Sequence, residues 1–226
     1  MAYHVTQRGS NRQRVFYTNG DYRMYLSLVR GQLEDSGARV LAYCLMRNHV
    51  HLVVVPEQTD SLAVLFRRVH GRYAQYLNTR RFRSGHLWQQ RFYSCPLSET
   101  HLWAALKYVE ENPCRAGIVD DPVEYRWSSA AAHLGVEPDR SRILDLEFWR
   151  QAGGEERWRA LHETAVDPAR MELLRRCTYS GRPFGEVEFI ERLEERFQRV
   201  WRRWGWEKRL LDREISEGNR VECPAH

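Results

Sequence analysis

Two apolar runs joined by a short polar connection constrain the fold of this chain more than any other feature. Residues 39–45 and 49–55 are rich in aliphatic and β-branched side chains, Met46-Arg47-Asn48 joins them, and Pro56 ends the second run. Such a pair is typical of a β-hairpin. We therefore expect an antiparallel sheet at the centre of the fold.

The segments around this hairpin predict the rest of the domain. Hydrophobic periodicity and turn residues indicate a strand over 2–7, a helix over 21–36, a helix over 60–78, a strand over 91–97 and a helix over 98–112. The order strand, helix, hairpin, helix, strand, helix predicts an α+β fold with helices packed on an antiparallel sheet. We place one domain at 1–135 and a helical, basic C-terminal extension at 136–226.

The distribution of charge indicates a polyanionic partner. The net charge is only +5, but residues 61–98 contain no Asp or Glu and include seven arginines. Arginine binds phosphate through two nitrogens and stacks on bases, so this stretch favours nucleic acid over a merely solvated basic surface.

Several classes of protein are disfavoured. No apolar run is long enough to span a bilayer, and the first residues lack the apolar core of a signal peptide, so we expect a cytoplasmic protein. The five cysteines form no Cys-x-x-Cys pair and predict neither a disulfide framework nor a zinc ribbon.

The sequence His49-Val50-His51 lies on the second strand of the hairpin. Because side chains alternate along a strand, both imidazoles project from one face, which suits coordination of a divalent ion. The spacing alone is weak evidence, since His-x-His is also frequent on strands that bind no metal.

Tyr108 and Asn112 lie one turn apart on the helix predicted over 98–112, so both side chains can face one cleft. A tyrosine hydroxyl is a possible nucleophile toward a phosphodiester, and an amide oxygen is a possible metal ligand. Taken alone, a tyrosine beside a helical apolar stripe is more often a packing residue than a nucleophile. Tyr73, Tyr76 and Tyr93 are rival nucleophiles that rank below it.

Five segments together resemble the REP-associated tyrosine transposases, a group of single-tyrosine HUH transposases related to small bacterial insertion-sequence transposases. They are VTQRGSNRQRVF (5–16), AYCLMRNHVHLVV (42–54), SGHLWQQRFYS (84–94), YVEENPCRAGIV (108–119) and YSGRPFGEVEFIERLE (179–194). The resemblance covers nearly the whole chain, with the motifs in order. It departs from the family at Glu111, where an aliphatic residue is usual, and we expect that position to be exposed.

This resemblance implies a ferredoxin-like or RRM-like sandwich and a Mg²⁺ or Mn²⁺ ion held by His49, His51 and Asn112. It implies that Tyr108 cleaves and rejoins single-stranded DNA at hairpin-forming, REP-like sequences through a 5′-phosphotyrosine. The metal, Lys107 or Arg91 would favour the phenolate. The alternatives are a DNA- or RNA-hairpin-binding protein that does not cut, and a metal hydrolase in which Tyr108 is only structural.

The resemblance and the basic stretches also predict the DNA-binding residues. These are Arg8, Asn11, Arg12, Arg14, Arg80, Arg81, Arg83, His86, Trp88 and Arg91. Trp88 suits either stacking on an unpaired base or anchoring the core. The basic, tryptophan-rich tail after residue 195 suits either a backbone-binding arm or a docked amphipathic helix. We expect a monomer.

Overall fold

The computed structural model describes residues 1–164 and 167–201, so most of the basic tail lies outside the described residues. The described strands are β1 (Tyr3–Arg8), β2 (Ala38–Met46), β3 (His49–Pro56) and β4 (Tyr93–Pro96). The described helices are α1 (Asn19–Arg30), α2 (Leu33–Ser36), α3 (Ser61–Arg80), α4 (Glu99–Glu110), α5 (Asn112–Arg115), α6 (Ala130–His133), α7 (Leu146–Gln151), α8 (Gly154–Glu163), α9 (Pro168–Ser180) and α10 (Val187–Phe197). None of these helices has the length and apolarity needed to cross a membrane.

The four strands form one antiparallel sheet in the order β2-β3-β1-β4. Along the sequence, α1 connects β1 to β2 and α3 connects β3 to β4. This is the ferredoxin-like arrangement. The prediction of an α+β sandwich with a central antiparallel sheet and C-terminal helices is confirmed.

Helices cover both faces of the sheet. On one face, Val5, Val50 and Leu52 pack with the apolar sides of α1 and α3. On the other face, Val53 and Cys95 pack with α4 and with helices from the C-terminal half of the chain. Strands β2 and β3 therefore send alternate side chains into two separate cores, which explains their nearly continuous apolar sequences.

Local signals set most element boundaries, and two of the predicted helices are each divided in two in the structure. Thr18 and Asp21 form a capping box that starts α1. The helix predicted over 21–36 is interrupted at Gly31 and resumes as α2, which ends at Gly37 in the left-handed conformation (φ 56°). The helix predicted over 98–112 ends at Glu110, and Pro113 lies in the first turn of α5, where a missing N–H has no cost.

Both outer strands of the sheet are covered by later segments. Along β2, Leu45 N donates to Trp127 O (2.8 Å), and Asp145 N donates to Val40 O (2.8 Å). Beside β4, Phe184 N donates to Pro96 O (2.8 Å). The C-terminal half thus satisfies backbone groups that the sheet leaves free.

Candidate active site

Strands β1 and β3 present a row of polar side chains on the sheet face that α4 and α9 cover. Alternation along β3 sends His49 and His51 to this face and Val50 to the opposite core. The antiparallel register sets Thr6 beside His51 and Arg8 beside His49. The two predicted imidazole ligands therefore lie together, with ring centroids 4.9 Å apart, next to an arginine of the neighbouring strand.

A third histidine, His4 on β1, lies in the same row, and no local sequence pattern marks it. His4 Nε2 lies 2.8 Å from His51 Nδ1, and the two rings stack with centroids 5.1 Å apart. The other nitrogen of His4, Nδ1, lies 2.8 Å from Thr178 Oγ1 on α9. Because His51 is engaged through Nδ1, its Nε2 is the nitrogen available to a metal ion.

His49 is oriented by its neighbour in the hairpin turn. Its Nδ1 lies 2.7 Å from Asn48 Oδ1. An amide oxygen only accepts hydrogen bonds, so His49 donates from Nδ1 and its Nε2 lone pair is free. Both histidines of the His-x-His pair are thus held through the same ring atom and present the other.

Burial keeps these imidazoles neutral. It lowers the pKa of His49 to about 4, with help from the nearby positive charge of Arg8. Burial lowers the pKa of His4 to about 3, with a further contribution from Arg115. It also lowers the pKa of His51 well below its usual value, and the neighbouring histidines add to this effect. Neutral imidazole is the form that binds a metal ion.

Tyr108, on α4, contacts this row of polar side chains. Ser98 caps the start of α4 by accepting from His101 N, and the apolar stripe of the helix then packs on the sheet. The ring of Tyr108 makes edge contacts with His4 (centroids 5.6 Å apart) and His51 (5.8 Å). Tyr108 is 8% exposed and lines a cleft of about 680 Å³ between α4, the end of α8 and α9. The tyrosine therefore faces a space that a ligand can enter.

The cation beside Tyr108 is neither of the two residues suggested by the sequence. The Arg115 guanidinium lies over the Tyr108 ring, 4.2 Å from its centroid, and also donates to Tyr108 O. Burial raises the pKa of Tyr108, and Arg115 opposes that rise. Lys107 instead donates to three backbone carbonyls at the end of α8, and Arg91 is exposed in the loop before β4.

Glu111 is half-buried, which corrects the expectation that it is exposed. Its carboxylate lies 3.4 Å from Lys107 Nζ, 3.4 Å from His162 Nδ1 and 3.7 Å from Arg115 Nη1. These basic groups lower the pKa of Glu111 against the opposing effect of burial. Glu111 therefore joins α4 to α8 and contacts the arginine that covers Tyr108.

Asn112 lies four residues after Tyr108, but it begins α5 instead of lying on α4 as predicted. Its amide nitrogen donates to Tyr108 O (3.1 Å) and Val109 O (3.1 Å), so the amide oxygen is the atom that remains for a ligand. No group of three His, Cys, Asp or Glu side chains suited to a metal occurs in residues 1–164 and 167–201. Two neutral imidazoles with an amide oxygen fit a divalent ion that accepts mixed nitrogen and oxygen ligands.

The two basic segments predicted to bind DNA lie side by side. Arg81 stacks on the ring of Tyr17, 3.7 Å from its centroid, and Arg83 donates to Gln13. Arg14 also packs on Tyr17, 5.1 Å from the ring centroid. We call the resulting patch the basic loop surface. Its exposed members are Asn11, Arg12, Arg14, Arg80, Arg81, Phe82, Arg83 and His86.

Trp88 belongs to the core, in agreement with one of its two interpretations and against its assignment to DNA. It is 9% exposed, its Nε1 donates to His70 O (3.2 Å), and its ring packs on Tyr25 and Tyr73. The aromatic residue of the basic loop surface is instead Phe82, which is 98% exposed. The sequence signal for it was an aromatic residue between Arg81 and Arg83.

Two of the three rival tyrosines lie on the opposite side of the sheet. The Tyr73 hydroxyl donates to Val15 O (2.7 Å), and that of Tyr76 donates to Asp21 (3.2 Å). Tyr93 pairs with Thr6 on the histidine face, and its ring contacts Tyr179 with centroids 5.0 Å apart. Tyr93 is therefore the rival that an experiment must separate from Tyr108.

Residues 1–112 match the model of the IS200-like transposase family. The fold is similar to that of a REP-associated tyrosine transposase bound to a REP hairpin, with a TM-score of 0.52 and 18% identity over 61% of this chain and 82% of that chain. A putative transposase from Deinococcus radiodurans also matches, with a TM-score of 0.37 and 20% identity over 50% of this chain and 89% of that chain. No curated protein matches the chain.

Proposed function

Because the chain belongs, through residues 1–112, to the IS200-like transposase family, we propose that it cleaves and rejoins single-stranded DNA at hairpin-forming sequences through Tyr108. The observation that carries this proposal is the contact of Tyr108 with His4 and His51 at the wall of an open cleft. Tyr108 thus contacts two neutral imidazoles and also lines a space for substrate, within one chain.

The chemistry assigned to this site is a phosphoryl transfer. The Tyr108 oxygen attacks phosphorus, a bond from that oxygen to phosphorus forms, and the bond from phosphorus to the 3′ oxygen breaks. The phenolic proton leaves to solvent, and the departing 3′ oxygen takes up a proton. The product is a 5′-phosphotyrosine with a free 3′ hydroxyl, and the reverse reaction joins a new 3′ end without ATP.

His49, His51 and Asn112 would hold the Mg²⁺ or Mn²⁺ ion. When bound, a divalent ion withdraws electron density from the phosphate and stabilises the charge that develops on it. Arg8 beside His49 and Arg115 over Tyr108 add positive charge around the phosphate position. Arg115 also favours the phenolate, because it opposes the rise in the pKa of Tyr108 that burial causes.

The basic loop surface would bind the folded part of the substrate. Its arginines can neutralise phosphates, and Phe82 can stack on an unpaired base. The related transposase of known structure is bound to a REP hairpin, and we propose the same class of ligand for this chain. We also propose that a monomer suffices, because Tyr108 meets the histidines of its own chain.

A 3′-labelled single strand that carries a hairpin tests the proposal, because a 5′-phosphotyrosine retains the 3′ fragment. With Mn²⁺, the wild type should give a labelled protein band on a denaturing gel. Tyr108→Phe should give none while still binding the hairpin on a native gel. Tyr93→Phe is the matched control and should cleave, and removing the metal with EDTA should stop cleavage.

Each contrary result identifies another function or another nucleophile. Binding without any cleavage by the wild type would show a hairpin-binding protein. Cleaved ends that Tyr108→Phe still produces, without a labelled protein band, would show a metal hydrolase. Loss of the band in Tyr93→Phe instead would assign the nucleophile to β4.

A further inference from the structure

A continuous chain of hydrogen bonds joins α9 to the His-x-His pair. The Thr178 hydroxyl lies 2.8 Å from Leu174 O, Thr178 Oγ1 lies 2.8 Å from His4 Nδ1, and His4 Nε2 lies 2.8 Å from His51 Nδ1. We propose that Thr178 and His4 are positioning residues that fix the tautomer of His51, so that its Nε2 is free for the metal ion. This inference rests on the metal site of the proposed function.

The direction of each hydrogen bond follows from the atom at which the series ends, Leu174 O. Leu174 O only accepts, so the single proton of the Thr178 hydroxyl points to it. Thr178 Oγ1 must then accept from His4, which places the His4 proton on Nδ1. His4 Nε2 is left as an acceptor, and His51 donates to it from Nδ1. The lone pair of His51 Nε2 therefore stays unprotonated.

The residues that form this series of hydrogen bonds are held in place by burial and by the packing of α9. His4 is 1% exposed and Thr178 is 1% exposed, so water does not compete for their hydrogen bonds. Asp167 caps the start of α9 by accepting from Ala169 N (2.8 Å), and the helix packs along β4. Neither ring can rotate without leaving a buried nitrogen unpaired, which is costly.

Thr178 lies outside residues 1–112, which match the family model. The His-x-His pair and Tyr108 lie within them, and so does His4. The C-terminal half therefore supplies the group on which the orientation of a metal ligand depends. It is part of the catalytic centre by this criterion, although none of its residues is assigned as a ligand.

Removal of the Thr178 hydroxyl should reverse the direction of the hydrogen bond between His4 and His51. In Thr178→Val, His4 Nδ1 has no acceptor, so the His4 proton moves to Nε2, which then donates to His51 Nδ1. His51 must in turn carry its proton on Nε2, the nitrogen intended for the metal. We expect Mn²⁺ affinity to fall about 10- to 100-fold, the usual cost of losing a group that orients a metal ligand.

Two measurements test this inference on the protein in the absence of DNA. Long-range ¹H–¹⁵N spectra, assigned by His4→Gln and His51→Gln, show which nitrogen of each ring carries the proton. Titration followed by the electron paramagnetic resonance of free Mn²⁺ gives the affinity. Thr178→Ser keeps the hydroxyl and should retain the wild-type tautomer and affinity, as should Ser180→Ala, a control on the same helix.

A change of the His51 tautomer together with weaker Mn²⁺ binding in Thr178→Val supports the inference. A wild-type tautomer or a wild-type affinity in that variant overturns it. If Thr178→Val does not fold, Thr178→Ser and the wild-type spectrum decide, since a wild-type His51 that is protonated on Nε2 also overturns the inference. A protein with the expected tautomer that cuts no DNA would refute the proposed function and leave this inference standing.

Discussion

Lys107→Met should destabilise the protein far more than a single surface ion pair would suggest. Lys107 is 2% exposed, and its Nζ donates to Leu161 O (2.6 Å), His162 O (3.1 Å) and Thr164 O (2.6 Å). Carbonyls at the end of a helix have no partner within the helix, and the negative end of the helix dipole favours a cation there. Lys107 thus caps the last turn of α8 from α4.

The expected loss follows from what Met leaves behind. Three carbonyls lose their donor at a cost of about 1–3 kcal/mol for each group that stays dry, and relief of the buried ammonium offsets part of this. We expect a net loss of about 3–5 kcal/mol, similar to removing one partner of a buried ion pair. The melting temperature should fall by roughly 6–20 °C for a chain of this size.

Urea unfolding of both proteins gives the difference in the free energy of unfolding, provided that the slope is unchanged. Glu111→Gln is the matched control, because it removes the 3.4 Å ion pair to Lys107 and keeps the cap. It should cost clearly less than Lys107→Met, because the three carbonyls keep their donor. A loss below about 1 kcal/mol in Lys107→Met, or an equal loss in both variants, would refute the capping role.

Three further outcomes follow from the structure. Trp88→Ala should cost about 3–5 kcal/mol of stability in urea unfolding, whereas Phe82→Ala should leave stability unchanged and weaken hairpin binding by roughly 5- to 100-fold in gel shifts; the reverse pattern would exchange their roles. Arg115→Met should raise the pKa of Tyr108, move the pH–rate profile of single-turnover cleavage to higher pH, and slow cleavage at neutral pH by about 2- to 30-fold; an unchanged profile would contradict this. Gly9→Ala should cost about 1–3 kcal/mol, because a Cβ there would lie 2.4 Å from Gln13 O; a melting temperature equal to that of the wild type would show that the loop adapts.

The sequence predicted the fold because its signals are local. The two apolar runs of the hairpin, Gly37 after a helix and Pro56 at the end of a strand each act within a few residues. The interruption at Gly31 was missed, since a single glycine within a helical pattern does not by itself end a helix. The division of the chain at residue 135 stays a prediction.

The candidate site was predictable only where its residues are close in sequence. His49 and His51 share a strand, and Asn112 follows Tyr108 by one turn. His4 and Thr178 are 174 positions apart, and no periodicity connects them. Burial is equally non-local: Trp88 and Phe82 both lie in the Arg-rich stretch, and only the packing of α1 and α3 decides which of them enters the core.

The segments that run along β2 and beside β4 have a consequence for any shortened version of the chain. Residues 127, 145 and 184 supply the backbone groups that occupy these strands, and all three lie outside residues 1–112. A fragment cut after residue 112 would expose unpaired N–H and C=O groups on both outer strands. Exposed strands of this kind recruit strands from other molecules, so we expect such a fragment to self-associate into insoluble material while the full chain stays dispersed.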